Sequence, residues 1–385
     1  MLDRPTTASD TFVLSVHSRV PADWPGIKDR GDARVHLFQT REFLEVWART
    51  YAARRGIELC FVDVTDRAGR MLMRVPLAIE TRGGLRLLSF ADQGCGDYNA
   101  PVLYPAPFAW TAELATSLWA AIEAALPRVD KIVLEKMPAM VRDCANPLHW
   151  LSAEANPESC HGSVLTRPWA EIEKTQAQLS TLKRKARGLE KLGTVRFFVA
   201  ETAEERARVL TRLLEQKQRR YEDTKVPGFA EQPDQKRFFE LATDVFGATG
   251  NLHLAALEVG GEIVATSWTV SVGDVVYETM IGFEAGEWAK HSPGRVLNLR
   301  FLEWAKEAGF SYLDHGVGDE DWKIENCDTH VPLGRMIAAR SAKGRFEMRR
   351  HALVQRVKSS ALYERLRPYK WIVKRAIAAR LGRAA

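Results

Sequence analysis

The stretch "NLHLAALEVGGEIVATSWTVSVGDVVYETMIGFE", Asn251–Glu284, decides the fold. Three runs rich in apolar and β-branched residues are separated by Gly260-Gly261 and by Gly273-Asp274, the residue pairs of tight hairpins. The stretch therefore predicts a three-stranded antiparallel meander. Downstream, "HSPG" leads into the helical pattern "RVLNLRFLEWAKEA", stopped by Gly309, and "FSYLDHG" reads as a strand. Upstream, "TVRFFVA" reads as a strand. The segment "TAEERARVLTRLLEQKQRRYED" opens on Thr202 with Glu205 three residues later, a capping box at the head of an amphipathic helix. A second helix is expected from about Pro233 to Val245. The order is β-α-α-β-β-β-α-β, with a last strand at "VPLGRMIAAR". A meander followed by a helix and a returning strand makes a mixed sheet, not a doubly wound parallel one.

The first half repeats this order without repeating its residues. "REFLEVWARTYAARRG" is a helix closed by Gly56, and "IELCFVDV", "RMLMRVPLAIE" and "LRLLSF" are strands. "FAWTAELATSLWAAIEAAL" is a helix and "DKIVLEKM" a strand, while the basic helix "LSTLKRKARGLEKLG" lies at the junction. At 385 residues the chain is long enough for two domains, each with its own core. The expected divisions are 1–180, 181–344 and a basic helical tail, 345–385.

Charge is distributed unevenly. From Ser341 to Ala385 there are 13 Lys+Arg against 2 acids, and the preceding residues carry a net −5. An acidic body argues against DNA as a partner, and a basic tail calls for an anionic one. In the tail, Tyr369, Ile372, Val373, Ala376 and Ile377 share a face with Lys370, Lys374 and Arg375 mostly opposite. That pattern suits an anionic membrane surface. Arg345 and Arg349, one helical turn apart, suit a nucleotide regulator instead. The opening "MLDRPTTASD" has no apolar signal region and no apolar run is long enough to span a bilayer. Cys60, Cys95, Cys144, Cys160 and Cys327 are odd in number and widely spaced, without a CxxC. These features fit a cytoplasmic chain, peripheral at the inner membrane, without a disulfide framework and with no expected metal site.

Two loops concentrate chemistry. "DHGVGDEDWKIENCD", Asp314–Asp328, ends the returning strand with glycines, acids, an aromatic residue and a lysine; "ADQGCGDYNAP" places Asp92, Asp97 and Tyr98 on a glycine-rich loop. Cys95 in the second loop has no His or Asp at a recognisable motif spacing, so a covalent cysteine mechanism is not expected.

Three stretches together carry a family resemblance: "LLSFADQGCGDYNAPVL", "LSTLKRKARGLEKLG", and Asp314, Gly316, Gly318, Asp319 and Lys323 with Trp322 where Tyr or Phe is usual. The chain resembles the GNAT acyltransferases, specifically the CelD/BcsL-type acetyltransferases and the related Fem-type peptidyl transferases. The resemblance implies an α/β (α+β) chain of tandem GNAT-like domains, each a mixed, largely antiparallel sheet flanked by helices. It further implies an acyl group passing from acetyl-CoA to an amino sugar of an exopolysaccharide or its precursor. Fem-type relatives instead use aminoacyl-tRNA and a cell-wall precursor, and a non-catalytic scaffold in a polysaccharide complex is a third reading.

On this resemblance the thioester lies between the strands "VVYETMIGFE" and "FSYLDHG". Ile281, Gly282, Pro293, Gly294, Arg295 and Val296 would hold it, the last four at a helix N-terminus suited to phosphate. The usual second glycine of the phosphate turn is missing. His315, Asp319 and Glu320 are candidate bases, and Lys323 would neutralise an oxyanion or hold an anionic acceptor. Asp92, Asp97, Tyr98 and Trp322 would bind the acceptor.

Overall fold

The computed structural model describes residues 4–8 and 11–358. The tail face around Tyr369–Arg380 lies outside these residues; Arg345 and Arg349 fall within a helix, Ala342–Lys358.

Two sheets organise the chain. In the second, the strand order is Val195–Val199, Leu252–Val259, Glu262–Val272, Val275–Phe283, Tyr312–Val317, Cys160–Val164 and Thr329–Val331. The meander forms as its turns dictate, with Gly260, Gly261 and Gly273 all at positive φ. The helix Ala203–Thr224 opens on the Thr202–Glu205 capping box, and Pro293 starts the helix Pro293–Glu307. That helix carries the chain across the sheet, so Val275–Phe283 and Tyr312–Val317 run parallel while their neighbours are antiparallel.

The first sheet follows the same plan. Strands Glu58–Thr65, Met71–Arg82 and Leu85–Phe90 form an antiparallel meander, and the helix Ala112–Ala125 crosses to the parallel strand Lys131–Pro138. Arg4–Ala8 and Val13–His17, which the sequence pattern does not announce, extend its edge.

The two plans are interlocked by an exchange of strands. Cys160–Val164 leaves the first half and pairs with Tyr312–Val317, whereas Leu333–Ala339 leaves the second half and pairs with Lys131–Pro138. A division at 180/181 therefore cuts through both sheets, which corrects the expected domain boundaries. Packing enforces the same coupling. Phe43 of the first half meets Phe238 of the second edge-on, with ring centroids 5.2 Å apart, inside a core that both halves furnish. The exchange also fixes the site, because it draws the first-half loop against the end of Tyr312–Val317.

Candidate active site

Val275–Phe283 and Tyr312–Val317 are paired at only three positions, Val275 with Tyr312, Val276 with Leu313 and Tyr277 with Asp314. Beyond them the strands part. A register shift helps: Trp268 faces Met280 but Thr269 faces Glu278, so Thr279 is the extra residue of a bulge. Bulges bend a strand and re-aim its side chains. The parted ends leave a strand edge free to pair with an extended ligand.

A cavity of about 260 Å³ opens at this fork, lined among others by Ile281, Phe283, Pro293, Gly294, Arg295, Asn298 and Trp322. Gly294 is needed for its shape, since a Cβ there would lie 2.9 Å from the Phe283 ring. Asn298 is buried, yet its Oδ1 has no hydrogen-bond partner among the described residues. A buried amide oxygen left unpaired is costly, and a ligand N–H entering the cavity would satisfy it. Of the first-turn amides, those of Arg295 and Val296 bond to the Ser292 carbonyl, and among the described residues the Gly294 N–H has no backbone partner.

Some of the expected ligand-holding residues do other work. The Arg295 guanidinium donates to the Ala177 carbonyl at 2.7 Å and to Asn326 Oδ1 at 3.1 Å, tying the junction to the helix Asp321–Asn326. Val296 is a core residue beneath the cavity. Gly282 faces the opposite side, where a Cβ would meet Gln216 and Thr266 oxygens at 2.9 Å.

Beneath Trp322 lies a pair of buried groups. His315 Nδ1 is 2.8 Å from Glu278 Oε2, and Ser267 Oγ donates to Glu278 Oε1 at 2.9 Å. Burial alone would raise the Glu278 carboxyl, but the bonds and charge from His315, with help from Ser267 and Lys323, hold it below its ordinary range. An ionised carboxylate fixed on Nδ1 leaves Nε2 as the nitrogen that can exchange a proton. Trp322 meets the His315 ring edge-on at 5.4 Å and also lines the cavity, so it joins the two.

Around this pair the remaining candidates sort themselves. Lys323 is buried, and its ammonium donates to the Val317 carbonyl at 2.8 Å and the Gly316 carbonyl at 3.4 Å, with Glu320 at 3.2 Å. Its three donors are used in bracing the loop. Glu320 is exposed and serves that brace, and Asp319 turns away to His161 Nε2 at 2.8 Å.

The first-half loop does arrive. Tyr98 donates its phenol to Asp314 Oδ2 at 2.6 Å, and Asp314 Oδ1 accepts the Gly316 N–H at 2.7 Å. Burial pushes Asp314 up to about 6 despite both bonds. Asp97 sits against Gly316, where a Cβ would lie 2.6 Å from its Oδ2. Burial raises the Asp97 carboxyl to about 7 although Lys136 pulls it down, and Asp314 adds to the rise. Asp92 does not join them. It is held by Lys136 at 2.6 Å and by the Gly96 N–H and Asn99, and it borders a larger, open hollow of about 670 Å³ lined by Arg55, Glu80 and Glu347. That hollow is more charged but lies apart from the His315–Glu278 pair. Burial lifts the Cys95 thiol to about 12, which leaves it protonated and suits no nucleophile at neutral pH.

Sequence reasoning missed Glu278, Ser267 and Asn298. An acid in the middle of the strand run "VVYETMIGF" was the available signal, because a buried strand does not carry a carboxylate without a partner.

Parted parallel strands, a helix starting between them and a cavity at the fork are the geometry of one acyltransferase fold. Residues 176–324 match the acetyltransferase (GNAT) domain family. The chain is similar in fold to FemX, with a TM-score of 0.52 at 11% identity over 80% of this chain and 93% of that one. A conserved protein of unknown function from Bacteroides thetaiotaomicron VPI-5482 gives 0.49 at 12% identity, over 78% and 90% of the two chains. A tandem GNAT protein from the clavulanic acid biosynthesis pathway gives 0.42 at 12%, over 78% and 95%. No curated protein sequence matches the chain. The fold is thus mixed α/β with GNAT-type architecture, and among the described residues no helix is long and apolar enough to cross a membrane.

Proposed function

We propose that the chain is an N-acyltransferase that moves an acyl group from acetyl-CoA to an amino sugar of an exopolysaccharide or its precursor. The observation that carries the donor half is the fork: a free strand edge, a cavity at its mouth and the orphaned Asn298 Oδ1 within it. Ile281 and its neighbours hold the extended arm of the donor by backbone pairing, Asn298 accepts an amide N–H of that arm, and Gly294 admits it past Phe283. The thioester supplies the electrophile. His315 Nε2 takes the proton of the attacking amine as the C–N bond forms, Glu278 stabilises the imidazolium, and the imidazolium returns the proton to the thiolate released when the C–S bond breaks. Trp322 screens this transfer from water. The amino-sugar half rests on the resemblance of the loops and on Asp97, a carboxyl beside the fork that can receive an ammonium.

Transfer from aminoacyl-tRNA is the second reading, favoured by the basic helix Leu179–Glu190, whose Leu182 borders the cavity. In that helix Lys185 donates to Ser292 Oγ and Lys183 pairs with Glu173, so two of its charges serve the protein. A peripheral location through residues 345–385 belongs to the same proposal.

The test follows free-thiol release from acetyl-CoA with glucosamine and nucleotide-linked glucosamine as acceptors, on wild type and Asn298→Leu. Acceptor-dependent release is expected, with the KM for acetyl-CoA raised about tenfold in the variant, the worth of one hydrogen bond. If no amine gives release and acetyl-CoA does not stabilise the protein against heat, the donor assignment falls and aminoacyl-tRNA takes its place.

A further inference from the structure

On the outer edge of the second sheet, three metal-ligating side chains from three separate segments converge. His161 lies on Cys160–Val164 and His330 on Thr329–Val331, and the antiparallel pairing sets these two residues directly opposite each other. Their rings are 5.3 Å apart. Asp319, from the loop that follows Tyr312–Val317, reaches His161 Nε2 at 2.8 Å. One ligand atom from each residue lies within 4.8 Å of the others.

We propose that His161, Asp319 and His330 bind a divalent transition-metal ion of the zinc type. Two imidazoles and a carboxylate suit zinc and its neighbours, not magnesium or calcium, which want oxygen. Metal–ligand bonds of about 2.0–2.1 Å in a tetrahedron set ligand atoms roughly 3.3 Å apart. The 2.8 Å His161–Asp319 contact must open slightly to reach that value, and His330 already lies within 4.8 Å of both. His330 is exposed and free to move, while His161 is paired with His330 on one side and is the bulge residue between Cys160 and Gly162 on the other. Three protein ligands leave a further position for water.

The placement gives the ion a task. Asp319 is joined by one peptide bond to Gly318, whose N–H donates to the Ser159 carbonyl, and it is followed by Glu320, which braces Lys323. A metal at Asp319 would clamp the start of the helix Asp321–Asn326, which carries Trp322 and Lys323, to the two edge strands. Thr329–Val331 pairs with Cys160–Val164, which in turn pairs with Tyr312–Val317, so the clamp closes the site from its outer side.

The experiment is calorimetric titration of the full chain, stripped with chelator, with zinc sulfate, alongside His330→Ala and Asp319→Asn. Cobalt absorption in the visible region reports the coordination. One zinc per chain is expected in wild type. Loss of His330 should weaken binding by more than about 100-fold, because even loss of a supporting group behind a ligand costs 10–100-fold. His330 is exposed, so its replacement leaves the fold intact, as the circular dichroism of the variant will verify. No binding by wild type, or equal binding by His330→Ala, overturns the assignment.

Discussion

Replacing Tyr98 by Phe removes a single oxygen from the contact between the halves and should give a pH-dependent loss of stability. The ring keeps its stacking on His36, with centroids 4.7 Å apart, so the perturbation is confined to the bond from the phenol to Asp314 Oδ2 at 2.6 Å. Both residues are 3% exposed, so water does not replace the lost donor. A hydrogen bond to a charged group is worth about 1.5–3 kcal/mol, and at about 1.4 kcal/mol per pK unit its loss raises Asp314 by roughly 1–2 units. Asp314 starts at about 6. Its folded pKa exceeds the unfolded value of about 3.9, so the native state binds the extra proton and stability falls as pH rises through that window. In the variant the fall continues to about pH 7–8. At pH 5 both proteins hold Asp314 protonated, and the substitution should cost no more than about 1 kcal/mol, the worth of a neutral bond. At pH 8 the full cost of about 1.5–3 kcal/mol appears. Urea unfolding of both proteins at the two pH values measures this, with Asp314→Asn as the background in which the pH dependence should vanish. Equal losses at pH 5 and pH 8 would refute the reasoning, since the phenol would then not be stabilising a carboxylate.

The remaining predictions concern the chemistry and the loop. His315→Gln and Glu278→Gln should each lower kcat by about 10²–10⁴ with little change in the KM for the thioester, the range for loss of a general base; initial-rate thiol release checks it, and unchanged kcat would exclude the pair. Gly316→Ala meets both a positive φ of 72° and the Asp97 carboxylate at 2.6 Å, and should destabilise the protein by about 1–3 kcal/mol. Thermal unfolding reads this loss, and a shift within error would mean that the loop relaxes freely.

How much of this was legible in the sequence depended on the range of the determining interaction. The meander, the capping box at Thr202 and the start of a helix at Pro293 are set by residues within a few positions, and they stand as read. The strand exchange is not local. Cys160–Val164 and Leu333–Ala339 have ordinary strand character, and nothing in either stretch says which of two similar sheets it completes. Lys323 shows the same limit in chemical form. Its place in the motif is clear from the sequence, but its ammonium is spent on the Gly316 and Val317 carbonyls at the end of the preceding strand. Only the returning backbone reveals that commitment. His161 and His330 are 169 positions apart in a chain with nine histidines, so no spacing rule selects them. The antiparallel pairing does. The acid of "VVYETMIGF" marks the middle case. Its presence in a buried strand demanded a partner, which sequence can require, but the partner's name came from the parallel neighbour carrying His315. A chain with two like sheets therefore hides its site twice, once in the choice of sheet and once in the pairing across it. Polar residues inside apolar strand runs are the features from which both can be recovered.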